Sequence, residues 1–325
     1  MKTLLTAAAA TALLTSTATA DVQTRAIEFE NEGATLQGTL YLPDGHEAGE
    51  RLPTVIVTGA WTSVEEQMPA SYAREMASRG FAAITFDFRG WGKSGDLPET
   101  TAGGARFIES PEAKTDDIRA AIEFASTLPE VDADLIHGLG ICASAGYMVD
   151  ATTGNDLVRS VGLVAPWLQD AEIVEAVYGG AEGVAGLTAV AEAAEAQVAN
   201  GGESEIILAA GPEGAEGVLM PIGGYYYEPE RGAIPAYDNQ WNNAGWNDWL
   251  FYHPVESAED FRKPLAIVHS DAAAIPQGVR AFVSAMAGEA TERWLDGVDQ
   301  FSFYDRPDVV NKAADTVAEH FRSAS

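Results

Sequence analysis

Short apolar runs and segments of helical spacing alternate along most of the chain. Apolar and polar positions alternate by twos at 26–30 and 34–42, on either side of Asn31-Glu32-Gly33, which predicts an antiparallel hairpin. Runs that stay apolar predict strands buried on both faces, and they fall at 53–58, 82–88, 135–141, 160–165 and 264–269, with a further strand predicted at 293–296. Helical spacing occurs at 64–79, 116–128, 145–153, 278–286 and 308–322. This order predicts an α/β fold with a mostly parallel central sheet and helices on both faces.

The alternation stops between residues 169 and 260. This stretch is rich first in Ala, Glu and Gly and then in Tyr, Trp and Asn, and it shows no clear strand. A long segment of this kind inside a compact domain is typically functional, so we expect a lid inserted over the carboxyl edge of the sheet. The predicted division is a core at 21–168, the lid at 169–260 and the last part of the core at 261–325.

The strand predicted at 135–141 ends abruptly in Gly140-Ile-Cys142-Ala-Ser144, and a helical pattern follows it. A tight turn that presents a nucleophile between a strand and a helix needs small residues two positions before and two positions after it. Gly140 and Ser144 fill these positions around Cys142. The helix N-terminus favours an anion, and we therefore expect a lowered pKa for the Cys142 thiol.

The first twenty residues have the pattern of a secretory signal sequence. A basic start at Lys2 is followed by a short apolar stretch and by Ala18-Thr19-Ala20, which predicts cleavage after Ala20. We expect a secreted or periplasmic protein. No later apolar run reaches the length of about 20 residues that a membrane-spanning helix needs.

The charge of the chain is strongly acidic. With 19 basic and 49 acidic residues among 325, the formal net charge is −30. Nucleic acid and anionic membrane surfaces would be repelled, so we expect neither as a partner and expect a small-molecule substrate instead. Charge spread this widely favours solubility. No metal-spaced His/Cys cluster or phosphate-binding loop is present, and we expect no metal and no cofactor.

Four separate segments carry a common pattern. They are Gly59-Ala-Trp61 with the residues at 64–67, the glycine-rich turn at 86–95, the residues at 131–134 with the turn at 140–147, and Phe303-Tyr-Asp305. Together they resemble the α/β-hydrolase superfamily, and within it the dienelactone-hydrolase-like bacterial branch. The likeness covers nearly all of the chain except much of the lid. It implies an α/β-hydrolase fold that hydrolyses an ester, a lactone or a related acyl compound.

The resemblance also implies roles for residues around the turn. Cys142 falls where the family has its nucleophile, and the amide of Ala143 would be one donor of the oxyanion hole. The second donor would come from the loop after Thr58, at Ala60 or Trp61. Ser144 is a rival nucleophile, because it too lies between small residues two positions away.

The other catalytic residues of the family are harder to place. Relatives carry a histidine shortly before the segment that resembles Phe303-Tyr-Asp305, and here Gln300 stands in that position. Glutamine cannot shuttle a proton. Asp271 is the candidate acid, with Asp170 as a second choice, and His269 at the end of a strand is the candidate replacement base.

Two functional hypotheses follow. The first is an exported hydrolase that forms an acyl-enzyme on its nucleophile. The second is a degenerate hydrolase fold, lacking the catalytic histidine, that serves as a binding or structural protein. The aromatic lid residues Tyr225, Tyr226, Trp241 and Trp246 either pack the insertion onto the sheet or, as substrate-binding candidates, line an apolar pocket.

Overall fold

The computed structural model describes residues 22–222 and 224–324. The signal sequence predicted at 1–20 lies outside these residues. The strands are β1 Gln23–Asn31, β2 Ala34–Leu42, β3 Leu52–Thr58, β4 Ala82–Phe86, β5 Val131–Ile141, β6 Val158–Val164, β7 Ile206–Ala210, β8 Val218–Met220, β9 Gln240–Asn242, β10 Leu265–His269 and β11 Ala290–Trp294. Eight of them form one sheet in the order β1-β2-β4-β3-β5-β6-β10-β11. All neighbouring pairs from β4 to β11 are parallel, and β1 and β2 pair antiparallel as the predicted hairpin.

Helices cover both faces of this sheet, as the sequence predicts. They are α1 Met68–Ser78, α2 Pro111–Ser126, α3 Ser144–Thr152, α4 Ala171–Val177, α5 Gly180–Ala199, α6 Gly245–Leu250, α7 Pro276–Ala285, α8 Ser302–Asp305 and α9 Pro307–Ser323. Helices α1 and α9 pack together, as do α2 and α3. The two pairs lie on opposite faces of the sheet. Gly138 in β5 and Gly162 in β6 are directed to opposite faces, because Gly162 pairs with the residue after Gly138. A Cβ added at Gly138 would meet Met148 of α3, and one added at Gly162 would meet Val317 of α9.

Two helices begin more than two residues away from the start that the periodicity predicts. The first turn predicted at 64–67 is a separate loop, in which the Gln67 side chain accepts the N–H of Val64 at 3.0 Å, and α1 begins only at Met68. Helix α2 begins five residues before the predicted start at Asp116. Ser110 caps it by accepting from the N–H of Ala113, and proline follows as the first helical residue.

The insertion contains strands, contrary to the prediction that it has none. Strands β7, β8 and β9 form a separate three-stranded sheet in the order β8-β7-β9. Each has at most five residues, so none carries enough alternation to be recognised in the sequence. Among the described residues no single helix is long and apolar enough to span a membrane. Helices α4 and α5 reach the necessary length and hydropathy only when they are taken together, and they meet at a bend of 87°.

Candidate active site

Cys142 occupies a strained turn directly after β5 and directly before α3. Its φ angle is 56°, in the left-handed region that residues with side chains rarely adopt. The turn is held by the N–H of Cys142, which donates to the carbonyl of Val164 at 3.1 Å, and by its own carbonyl, which accepts from the N–H of Trp167 at 2.9 Å. A Cβ added to Gly140 would lie 2.7 Å from the carbonyl oxygen of Ser144, so this position requires glycine. The local geometry is therefore that of a strand–turn–helix nucleophile elbow.

Ser144, the rival nucleophile, lies inside the helix rather than at the turn. It is the first residue of α3, it is buried, and its hydroxyl donates to the carbonyl of Gly59 after β3. It does not line the cavity that Cys142 faces. This contact joins the elbow to the loop after β3 and gives Ser144 a structural position. The geometry favours Cys142 over Ser144 as the nucleophile.

Hydrogen-bond donors converge on the sulfur of Cys142. Burial raises the pKa of the thiol above its ordinary value, and the neighbouring Tyr304 hydroxyl, the N–H groups of Ala143 and Trp61 and the Gln300 side chain act in the opposite direction. The expected lowering of this pKa by the helix N-terminus is therefore wrong. Cys142 is only 6% exposed, and the loss of hydration raises the pKa of its thiol by more than the neighbouring donors lower it.

The donor from the loop after β3 is Trp61 rather than Ala60. The N–H of Trp61 interacts with the Cys142 sulfur. Ala60 is buried, and its carbonyl accepts the Ser63 hydroxyl at 2.7 Å. The N–H groups of Trp61 and Ala143 are thus the pair that the structure brings together, and such a pair is suited to stabilising an oxyanion.

Gln300 takes part in a fixed network of hydrogen bonds beside Cys142. Its Nε2 donates to the carbonyl of Ala165 at 2.9 Å and to the hydroxyl oxygen of Tyr304 at 3.0 Å. Its Oε1 accepts the N–H of Ala274 at 3.1 Å. Because the Tyr304 oxygen accepts from Gln300, the hydroxyl proton of Tyr304 is directed to Cys142. Gln300 therefore orients the tyrosine and has no proton to exchange.

His269 and Asp271 are not brought to the thiol. His269 does not line the cavity of Cys142; its ring packs 5.4 Å from that of Trp294, and burial lowers its pKa to about 4. The carboxylate of Asp271 is 72% exposed and pairs with Arg280 at 2.5 Å. Asp170, the second choice, caps α4 by accepting the N–H of Ile173 at 2.8 Å. The structure supports none of these residues as a partner of Cys142.

The remaining histidines also lie outside the site. His137 is buried in β5, where its Nδ1 lies 2.9 Å from the Ser160 hydroxyl and its ring stacks on Phe321. His46, His253 and His320 do not line the cavity of Cys142 either. Among the described residues, no group of three His, Cys, Asp or Glu side chains could hold a metal ion.

Cys142 faces a cavity of about 360 Å³ between the sheet and the insertion. Of the three candidate substrate-binding residues, Tyr226 and Trp246 line it, whereas Trp241 lies behind Trp61 with the two rings 4.9 Å apart. Among the described residues, those lining the cavity include no charged side chain. They are Trp61, Cys142, Ala143, Trp167, Val177, Tyr178, Leu219, Met220, Pro221, Ile222, Tyr226, Trp246, Trp249, Ala274, Gln300, Phe301 and Tyr304.

A buried ion pair holds the loop that carries Trp61. Glu109 Oε2 accepts the N–H of Thr62 at 3.3 Å, and its Oε1 accepts Lys114 Nζ and the Tyr147 hydroxyl, both at 2.8 Å. Thr62 has a φ of 61°, so this loop is strained directly beside the oxyanion donor. Since Tyr147 belongs to α3, Glu109 connects the loop to the helix that follows the elbow.

Comparison with known proteins gives the same fold. The crystal structure of the uncharacterized protein PA2218 from Pseudomonas aeruginosa matches with a TM-score of 0.79 and 24% identity over 94% of each chain. The α/β hydrolase GrgF from Penicillium sp. sh18 matches with a TM-score of 0.73 and 18% identity, over 92% of this chain and 99% of that one. The chain thus has the α/β-hydrolase fold, which confirms the predicted fold class.

The first half of the chain also matches a family by sequence. Residues 36–168 match the model of the dienelactone hydrolase family. Protein PA2218 is 38% identical over 143 residues, 44% of this chain and 36% of that protein. A thiohydrolase from Eupenicillium brefeldianum is 30% identical over 141 residues, 43% of this chain and 42% of that protein. The chain therefore spans less than half of the length of these relatives, and its residues 36–168 are similar to the dienelactone hydrolase family, as the motifs predict.

Tyr304 and Glu109 are among the residues of the site that are not identified from the sequence. Tyr304 is visible only as part of Phe303-Tyr-Asp305, although its spacing of four residues from Gln300 could have placed the two on one side of a helical turn. Glu109 gives no signal in the sequence, because its partners Thr62 and Tyr147 are 47 and 38 residues away.

Proposed function

We propose that the protein hydrolyses esters or related acyl compounds through an acyl-enzyme on Cys142. One observation carries this proposal: the sulfur at the elbow faces the N–H groups of Trp61 and Ala143 and opens into an apolar cavity. The match to the dienelactone hydrolase family and the likeness to a thiohydrolase support acyl chemistry at this position.

The Cys142 thiol first loses its proton to solvent, and its sulfur attacks the carbonyl carbon of the substrate. The carbonyl oxygen becomes an oxyanion, and the N–H groups of Trp61 and Ala143 stabilise it. Collapse of this intermediate breaks the bond to the leaving group and leaves the acyl group on sulfur. Water then attacks this thioester, which releases the acid and restores the thiol.

The acyl group of the substrate is expected to be uncharged and apolar. The cavity is lined by four tryptophans and by aliphatic residues that include Val177 and Ile222, which are 41% and 60% exposed at its rim. A carboxylate or an ammonium group in this cavity would lose its hydration without finding an opposite charge. Binding therefore favours aliphatic or aromatic acyl groups.

Hydrolysis of an activated aryl ester tests the proposal. With p-nitrophenyl hexanoate, the wild-type protein should release p-nitrophenol, and Cys142→Ala should lower the rate to that of buffer. Ser144→Ala is the matched control, since it removes the hydroxyl at the first residue of α3 and leaves the thiol in place. Full activity in Cys142→Ala would refute the proposed nucleophile.

The second candidate function is a binding protein with a degenerate active site. The observation in its favour is Gln300, which stands at the expected histidine position and is held by three hydrogen bonds. In that case, hexanoic esters should change the tryptophan fluorescence of the cavity without acylating Cys142. Turnover that depends on Cys142 would exclude this alternative.

We also propose that the protein is exported, on the strength of the pattern at residues 1–20. Expression of the full chain in a bacterial host followed by mass spectrometry of the mature protein should find Asp21 at the N-terminus. A retained leader would contradict this proposal.

A further inference from the structure

The cavity around Cys142 contains hydrogen-bond donors but no ordinary acid–base group. Among the described residues, no histidine, carboxylate or amine lines it. The amide of Gln300 does not ionise. The three tyrosines that line the cavity, Tyr178, Tyr226 and Tyr304, retain their protons, because burial raises the pKa of each above its ordinary value. The Tyr304 hydroxyl is in addition committed to Cys142 and Gln300. A leaving group in this cavity therefore departs without a general acid to protonate it as its bond breaks.

This restriction acts on the tetrahedral intermediate formed by Cys142. The intermediate expels the less basic of its two candidate leaving groups. A cysteine thiol has a pKa of about 8.5, whereas an alkoxide resembles hydroxide, whose conjugate acid has a pKa of about 15.7. Without a proton donor, an alkyl ester intermediate expels Cys142 again and returns to substrate. A thioester intermediate carries two sulfurs of similar basicity, so it expels either Cys142 or the substrate thiolate at comparable rates.

We propose that the substrates of this site are thioesters of uncharged, apolar acyl groups and not alkyl esters, an inference that rests on the proposed acyl-enzyme at Cys142. The bond from Cys142 Sγ to the carbonyl carbon forms while the bond from that carbon to the substrate sulfur breaks. The departing sulfur takes the electron pair of the broken bond, and the proton lost by Cys142 passes to it through solvent. The products are the acyl-enzyme and a free thiol.

The same lack of a base slows the second step. Water must attack the acyl-enzyme without a residue to accept its proton, and general-base assistance typically contributes 10²- to 10⁴-fold. Water releases the acyl group as a carboxylic acid and returns Sγ to the thiol form. The acyl-enzyme should therefore accumulate during turnover of a thioester.

The test uses one acyl group on three leaving groups. Ethyl thiohexanoate, p-nitrophenyl hexanoate and ethyl hexanoate are incubated with the full-length protein, and acylation of Cys142 is followed by intact and peptide mass spectrometry. The thioester and the aryl ester should acylate Cys142, and ethyl hexanoate should react at least about 100-fold more slowly.

Two histidine variants separate the missing proton donor from other causes. Gln300→His should raise the rate with ethyl hexanoate by about 10²- to 10⁴-fold and the rate with the thioester by less than about 10-fold, because only the alkoxide needs a proton. Lys312→His is the matched control, since it adds a histidine on the exposed face of α9. It should leave the ratio of the two rates unchanged.

Equal rates with ethyl hexanoate and ethyl thiohexanoate in the wild-type protein would overturn the inference while leaving the acyl-enzyme intact. Equal acceleration of both substrates by Gln300→His would also overturn it. Failure of all three compounds to acylate Cys142 would remove the proposed function and this inference with it. The leaving-group series decides the matter even if Gln300→His does not fold.

Discussion

The buried pair of Glu109 and Lys114 provides a quantitative test of how the active-site loop is held. The side chain of Glu109 is fully buried and that of Lys114 is 2% exposed, and their charged atoms are 2.8 Å apart. Lys114 Nζ also lies 4.7 Å from the ring centroid of Trp91. We predict that Glu109→Gln lowers the free energy of unfolding by about 3–5 kcal/mol, because it leaves a buried ammonium group without its counter-charge.

Glutamine keeps one acceptor oxygen, so this variant removes the charge together with one of the two acceptor positions of Glu109. Asp116→Asn is the matched control. The ion pair of Asp116 and Arg119 has a similar N to O distance, 2.7 Å, but it is exposed to solvent. Its loss should cost about 0–1 kcal/mol. Urea unfolding of both variants at neutral pH, with the slope of the transition compared, measures the difference.

The pH dependence supplies the sign of the effect. Burial lowers the pKa of Lys114, and Glu109 opposes this shift in the wild-type protein. In Glu109→Gln only the weaker attraction to Asp117 still opposes this shift, so the unfolded state binds a proton that the folded state resists. Stability of this variant should rise with pH up to the pKa of an unfolded lysine, about 10.4. A loss no larger than that of Asp116→Asn, or a loss that grows with pH, would refute the reasoning.

Three further predictions follow from single contacts. Ser144→Ala should lower the free energy of unfolding by about 1 kcal/mol, since one hydrogen bond to Gly59 is lost. Labelling of Cys142, detected by mass spectrometry, should persist in this variant. Loss of labelling would contradict the assignment of Cys142 as the nucleophile. Burial raises the pKa of Glu65 to about 7, so stability should fall by about 3 kcal/mol as pH rises from 4.5 to 7, and urea titrations of Glu65→Gln should lack this fall. Cys142 should react with iodoacetamide in the native protein more slowly than free cysteine at pH 7, and faster as pH rises, because burial raises its pKa; a rate above that of free cysteine at pH 7 would show a lowered pKa.

The sequence predicts the parts of this fold that depend on local patterns. The hairpin of β1 and β2, the buried strands and the turn at Cys142 all carry their signal within a few neighbouring residues. Strands β7 to β9 are too short for such a signal. Helix α2 is predicted to begin late because its cap at Ser110 and Pro111 lies before the periodic segment.

Several properties of the site depend on contacts between residues far apart in the sequence, and they cannot be predicted from local patterns. The pKa of Cys142 is set by burial beneath the insertion, which outweighs the local effect of the helix N-terminus. The position of Gln300 is predictable from the motif that follows it, but its bonds to Ala165 and Ala274 join segments 135 and 26 residues apart. His269 is a plausible base by its position at a strand end, and only packing excludes it from the cavity.

The central claim is that Cys142 forms an acyl-enzyme in a site without a general base. Rapid mixing of the protein with p-nitrophenyl hexanoate, followed by quenching for peptide mass spectrometry, measures this directly. We expect a burst of one p-nitrophenol per active site, a slower steady rate, and a hexanoyl group on the peptide that contains Cys142. Linear release from the first turnover with no acyl group on that peptide would contradict it.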